Sequence, residues 1–161
     1  MEMDGPSGLR AMMERYAQPG RVAWIGLRPG RREAMVAVER AEVTTEGLAG
    51  DHGRAGPRAV TLIEGEHLPV IGAFLGRGAV DPRLLRRNIA VTGINLGALK
   101  DRPLTIGTAR LRILGACHPC SRMEEALGPG GYSAMRHHSG GYAEVLGPGR
   151  ITLGDAVTPE G

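Results

Sequence analysis

The apolar positions of this chain follow two rhythms. In Gly8–Tyr16, Leu9, Met12, Met13 and Tyr16 recur at three- and four-residue spacing, which predicts a short amphipathic helix that Gln18-Pro19-Gly20 ends. Its methionines are expected to pack on the main domain. From Arg21 the rhythm shortens toward two, and the chain becomes a series of β-like runs separated by Gly and Pro. Strands are predicted over Arg21–Leu27, Ala34–Val43, Ala59–Ile63 and Asn88–Thr92. Two hairpins follow from the pairs Thr105–Ile106 with Ala109–Leu114, and Tyr142–Leu146 with Arg150–Leu153. Glu64–Leu75 reads as helical but broken early by Pro69. Pro82–Arg87 is a turn or one helical turn, and short helical pieces follow from Ser121 and over Tyr132–Met135.

Many short strands and few long helices argue for a mainly β fold, a twisted barrel with short flanking helices, and against a doubly wound α/β sheet. The chain divides into an N-terminal helical extension, residues 1–20, and a single domain over 21–158. Its 161 residues suffice for one real core. With aromatics at 3%, that core must be built from Val, Ile, Leu, Met and Ala.

Composition excludes several partners. No apolar run is long enough for a transmembrane helix, and the start Met1-Glu-Met-Asp-Gly-Pro-Ser lacks the basic and apolar regions of a signal peptide. The expected location is cytoplasmic, with thiols reduced and no membrane partner. A net charge of +3 without a basic helix or stacking aromatics is no nucleic-acid footprint. Of the 20 basic residues only Lys100 is lysine, an excess of arginine that a G+C-rich coding sequence also produces. A lone lysine argues against pyridoxal phosphate as cofactor.

Both cysteines of the chain lie in one corner, Leu111-Arg-Ile-Leu-Gly-Ala-Cys117-His-Pro-Cys120-Ser-Arg122. It reads as a strand, a turn and a helix start with Ser121 in the N-cap position. Backbone N–H groups there and Arg122 would favour a thiolate. A zinc site needs about four ligands, and one Cys-x-x-Cys supplies two; His118, His137 and His138 match no zinc spacing. A thioredoxin-like dithiol would follow the first βα unit of a parallel sheet. A pair of buried small hydrophobes is the bland alternative. The remaining reading is a single working thiolate: a nucleophile, a sulfur carrier or a ligand to a metal. Arginines cluster at strand ends, as Arg31-Arg32, Arg86-Arg87-Asn88, Arg54 and Arg58, where they would suit a phosphate-bearing ligand. Asp51-His52 is either a loop-stabilising Asx turn or a site histidine.

Leu48-Ala-Gly-Asp51, Leu85-Arg-Arg-Asn-Ile-Ala-Val-Thr-Gly-Ile94, Ile106-Gly-Thr-Ala-Arg-Leu111, Cys117-His-Pro-Cys120 and Ile151-Thr-Leu-Gly-Asp-Ala-Val157, in that order, resemble the MOSC domain family. The resemblance runs from about Val22 to Val157. It implies a twisted β-barrel and two activities. One is reduction of N-hydroxylated or N-oxide small molecules on a bound molybdenum cofactor (molybdopterin), with Cys120 as ligand to molybdenum. The other is sulfur transfer through a Cys120 persulfide. Both make Cys120 the reactive sulfur and Cys117 its partner. Arg86 and Asn88 match the cofactor-contacting region, and Arg31 and Arg32 a basic turn near it; Arg58 and His52 are further candidates. Without a desulfurase domain or the cysteines for an iron–sulfur cluster, the chain needs a separate electron donor or cysteine desulfurase. A third possibility is a carrier that holds the cofactor without turnover.

Overall fold

The computed structural model describes residues 5–160; Met1–Asp4, the beginning of the expected extension, lie outside the described residues. Among the described residues eleven strands carry the fold: β1 (Gly20–Leu27), β2 (Val36–Val38), β3 (Arg40–Thr44), β4 (Gly47–Leu48), β5 (Val60–Glu64), β6 (Ile89–Thr92), β7 (Pro103–Ile106), β8 (Ala109–Ala116), β9 (Gly141–Gly147), β10 (Gly149–Thr152) and β11 (Ala156–Pro159). Seven of them close a ring in the order β1-β6-β5-β9-β8-β7-β11, and β11 returns to β1 through Gly20 opposite Val157. The molecule is a mainly β protein built on a closed barrel. A small second sheet runs β10-β3-β4.

Period-two burial explains the ring. In β7, Leu104 and Ile106 point inward, and in β8 Ala109, Leu111 and Ile113 do the same. The exceptions are β5 and β6, the parallel pair, which are buried on both faces. Val60, Leu62, Ile89 and Val91 fill the barrel, whereas Ile63 and Ala90 face outward into a second apolar cluster. That cluster is roofed by the helices α2 (His67–Phe74), α3 (Pro82–Leu85), α4 (Ser121–Leu127) and α5 (Gly131–Met135), which contribute Ile71, Leu85, Met123 and Met135. The N-terminal helix is α1 (Gly5–Glu14). Among the described residues no helix is long and apolar enough to cross a membrane.

Four local expectations are corrected. The N-terminal helix forms, but Leu9, Met12, Met13 and Tyr16 stay exposed instead of packing on the domain. The run Ala34–Val43 is two strands: a break at Glu39 sends β2 to β1 and β3 to the small sheet. Pro69 does not break α2, because it is the third residue of the helix, where no intrahelical N–H bond is required. Residues 142–146 and 150–153 form no hairpin. Gly149 packs against the Thr108 backbone so closely that a Cβ would sit 2.5 Å from it, and β10 is turned away to pair with β3.

Candidate functional site

At one end of β1 and β6 a polar knot is buried. The Asp51 side chain is fully covered, yet each of its oxygens is satisfied. Oδ1 accepts from the Arg28 backbone N–H (2.6 Å), Arg28 Nε (3.0 Å) and Asn88 Nδ2 (3.2 Å). Oδ2 accepts from a terminal Arg28 nitrogen (2.8 Å) and the Gly53 N–H (3.0 Å). The Gly53 contact makes the Asx-type turn, one of the two readings of Asp51-His52. Burial alone would push this carboxyl up, but the bidentate Arg28 and the backbone N–H donors outweigh it and hold Asp51 below the ordinary carboxylate value.

Asn88 is wholly buried, and its amide is spent on structure. Its Oδ1 accepts from Thr61 N–H and Oγ1, and its Nδ2 donates to Gly26 O and Asp51. It ties β1, β5 and β6 to the 51–53 loop. Arg86, at the left-handed end of α3 (φ 57°), donates to the Gly30 and Glu33 carbonyls and so braces the 28–33 turn. Burial, followed by the charges of Arg28 and Arg122, pushes its guanidinium down from the usual arginine value.

These struts hold open an arginine cleft of about 830 Å³. Arg28, Arg31, Arg54 and Arg58 line it together with His52. Four sequence candidates, Arg31, His52, Arg54 and Arg58, therefore share one cavity; Arg32 is exposed on the same turn and is not among the lining residues. Arg58 lies over the Tyr142 ring at 4.2 Å, a cation–π contact that fixes its direction.

Beyond the barrel strand β8, the two cysteines part company. Cys117 is buried, and its N–H donates to Gly140 O (2.8 Å). Burial raises its thiol above the usual value against the pull of Arg87, Arg58 and Arg28. Cys120 is exposed and in extended backbone. It, rather than Ser121, is the N-cap of α4, and its sulfur makes no capping bond. Arg87 stands by both sulfurs: its Nε donates to Ser139 O (2.7 Å), another of its nitrogens to Leu85 O (3.1 Å). Burial pushes its guanidinium down, and the Cys117 and Cys120 sulfurs pull it back up. The family resemblance marks Arg86 and Asn88 rather than Arg87, and an Arg-Arg pair in sequence does not show which member turns inward. A second cavity, about 500 Å³, opens beside Cys117 between His118, Tyr132, Arg136 and His137.

An exposed thiol, a guanidinium beside it and a cleft of arginines would suit a soft ligand atom next to an anion; Cys120 itself is not among the lining residues of either cavity. A sequence model of the MOSC domain matches residues 49–158. The chain belongs to the MOSC domain family. Solved structures share the architecture of this MOSC protein at low identity. The YuaD protein from Bacillus subtilis is 17% identical with a TM-score of 0.75, over 87% of this chain and 94% of that one. YiiM from Geobacillus stearothermophilus is 18% identical with a TM-score of 0.73, over 89% and 76%. YiiM from Escherichia coli is 18% identical with a TM-score of 0.68, over 88% and 70%. These likenesses establish the fold of the barrel. Among curated proteins no sequence matches.

Proposed function

We propose that this MOSC protein binds molybdenum cofactor and reduces N-hydroxylated or N-oxide small molecules, with the Cys120 thiolate as the protein ligand to the metal. The observation that carries the reading is the exposed, uncommitted Cys120 sulfur beside Arg87, close to an arginine-lined cleft. The donor set fits the group. Arg31, Arg54 and Arg58 present charges suited to a pterin phosphate, the cleft has the volume of a cofactor site, and a thiolate suits molybdenum. When bound, the cofactor supplies a metal centre that accepts the substrate oxygen.

The chain's own residues do the rest. Arg31, Arg54 and Arg58 hold the phosphate, and the Asp51–Arg28–Asn88 knot keeps their wall rigid. Arg87 places a positive charge where a sulfur anion is needed. Removal of the oxygen from an N–OH group consumes two electrons and two protons and yields N–H and water. The electrons come from a separate donor protein, and a reducing cytoplasm would protect Cys120 from oxidation before the cofactor binds.

The test is the molybdenum and pterin content of full-length protein purified without oxygen from cells that make the cofactor. Near-stoichiometric molybdenum in the native chain, and its loss in Cys120→Ser, is the expected result. A native chain that retains none after reconstitution overturns the reading. Exposure of Cys120 also favours a second role, since a partner can reach it: a sulfur carrier loaded by a cysteine desulfurase. That role is read as a gain of one sulfur atom in intact mass, absent in Cys120→Ser. Cofactor retained without reductase activity, whatever donor is supplied, would mark a carrier.

A further inference from the structure

The cavity beside Cys117 shares no lining residue with the arginine cleft, and its walls are of a different kind. We propose that it is the substrate pocket and that it selects planar N-hydroxylated compounds bearing an anionic group. Its volume, about 500 Å³, lies in the range that takes a small organic ligand. Three rings stand on its wall: His118, Tyr132 and His137. Tyr132 is 46% exposed, so its ring is open to a ligand at the cavity mouth. Rings of this kind stack on a flat ligand at small entropic cost.

Charge sets the second preference. Arg136 lines the cavity, and no hydrogen bond or ion pair engages its guanidinium among the described residues. No carboxylate lies in the lining. Helix α4 carries two acids, Glu124 and Glu125, and neither lines the cavity; Glu124 is committed elsewhere, its two oxygens accepting from the Gly130 N–H (3.1 Å) and the Tyr132 N–H (2.9 Å). This pair also anchors α5 and with it Tyr132. A free guanidinium in a pocket without acids binds an anion and disfavours a cation.

The wall is built rather than incidental. His137 has φ at +71°, a left-handed conformation that costs a side-chain-bearing residue energy and persists only where its surroundings impose it. The residues after it are pinned at two points, Ser139 O by Arg87 and Gly140 O by the Cys117 N–H. The strained turn thus holds His137 and Arg136 at the mouth while its far end is fixed to the groups next to the sulfurs. Substrate would lie with its flat body among the rings and its charge on Arg136.

This inference rests on the redox reading of Cys120 for its chemistry, but its test does not. Benzamidoxime and 4-carboxybenzamidoxime are titrated into cofactor-free, full-length protein at low salt, and the dissociation constants and amide shifts are read by NMR. The carboxylated probe is expected to bind at least about tenfold more tightly, with shifts centred on Tyr132, Arg136 and His137. Arg136→Ala should bring the two constants within about twofold, whereas Tyr132→Ala should weaken both probes alike. Equal affinities in the native chain overturn the proposal. So does a preference that survives Arg136→Ala, or shifts centred on His52 and Arg54. Molybdenum content is measured on the same variants. Selection of the anion without molybdenum retention would sink the redox reading alone, and molybdenum retention without selection would sink the pocket alone.

Discussion

The Asp51 knot and the Cys120 corner lie in the same neighbourhood, and both contain residues that sequence marks as chemical. In the knot every polar atom of Asp51 and of the Asn88 side chain has a partner. At the corner the Cys120 sulfur has none and stands in solvent. The contrast separates residues that hold a site from residues that act in it. Satisfied, buried groups are expensive to disturb but have nothing left to offer a ligand, whereas an unsatisfied exposed group costs little and is free to react.

The largest expected effect is on the buried side. Asp51→Ala removes the acceptor for five donors and leaves the Arg28 guanidinium without its counter-charge, so it should lower unfolding free energy by about 3 to 5 kcal/mol. Urea melts of the native and variant chains measure this; a loss under about 1 kcal/mol would mean the knot is dispensable. The next effect is its pH dependence. Because Asp51 in the folded chain titrates below its reference value of 3.8, its contribution is complete above that value. It is lost as pH falls through the lower folded value. Stability of the native chain should therefore drop faster than that of Asp51→Asn below about pH 4, with parallel behaviour above it.

On the open side the effects are of reactivity. Burial keeps Cys117 a neutral thiol at pH 7, whereas the exposed Cys120 is accessible to reagent. Iodoacetamide should modify Cys120 at least about tenfold faster, as read by peptide mass, and Cys120→Ser should abolish the fast phase while Cys117→Ser keeps it. Equal rates would erase the distinction between the two sulfurs. The smallest effect belongs to the cleft: Arg54→Ala, at an exposed residue, should change stability by no more than about 0.5 kcal/mol in the same melts. A larger loss would place Arg54 among the struts.

Most of the barrel was legible because its strands alternate and its turns contain glycine. The corner Cys117–Cys120 was legible because strand, turn and helix start follow one another without interruption. What failed did so for physical reasons. The alternation of Ala34–Val43 does not reveal that the chain changes sheets at Glu39, since both halves show a strand pattern. A Gly-Pro-Gly turn announces a reversal but not the partner, and β10 found β3 instead of β9. Asn88 and Arg86, which the resemblance marks as cofactor contacts, are a separate case: in this structure they make hydrogen bonds to carbonyls, a hydroxyl and a carboxylate of the chain itself. Residue type alone does not distinguish gripping a phosphate from bracing a turn. Arg28 and Arg87 are the converse, two arginines whose places are set by partners distant in sequence, Asp51 and Ser139.

The pairing of β1 with β11 has a consequence for the life of the chain. The ring shuts only when Gly20 and Arg21 meet Val157 and Ala156, so a ribosome must release nearly the whole barrel sequence before its first strand gains its last neighbour. Until then the inner row of aliphatic side chains has an open seam. The same seam brings the beginning of the first barrel strand beside the last one. A new pair of ends cut at an exposed turn such as Gly76–Gly78, with the old ends joined by a short linker, would leave the ring's pairings intact.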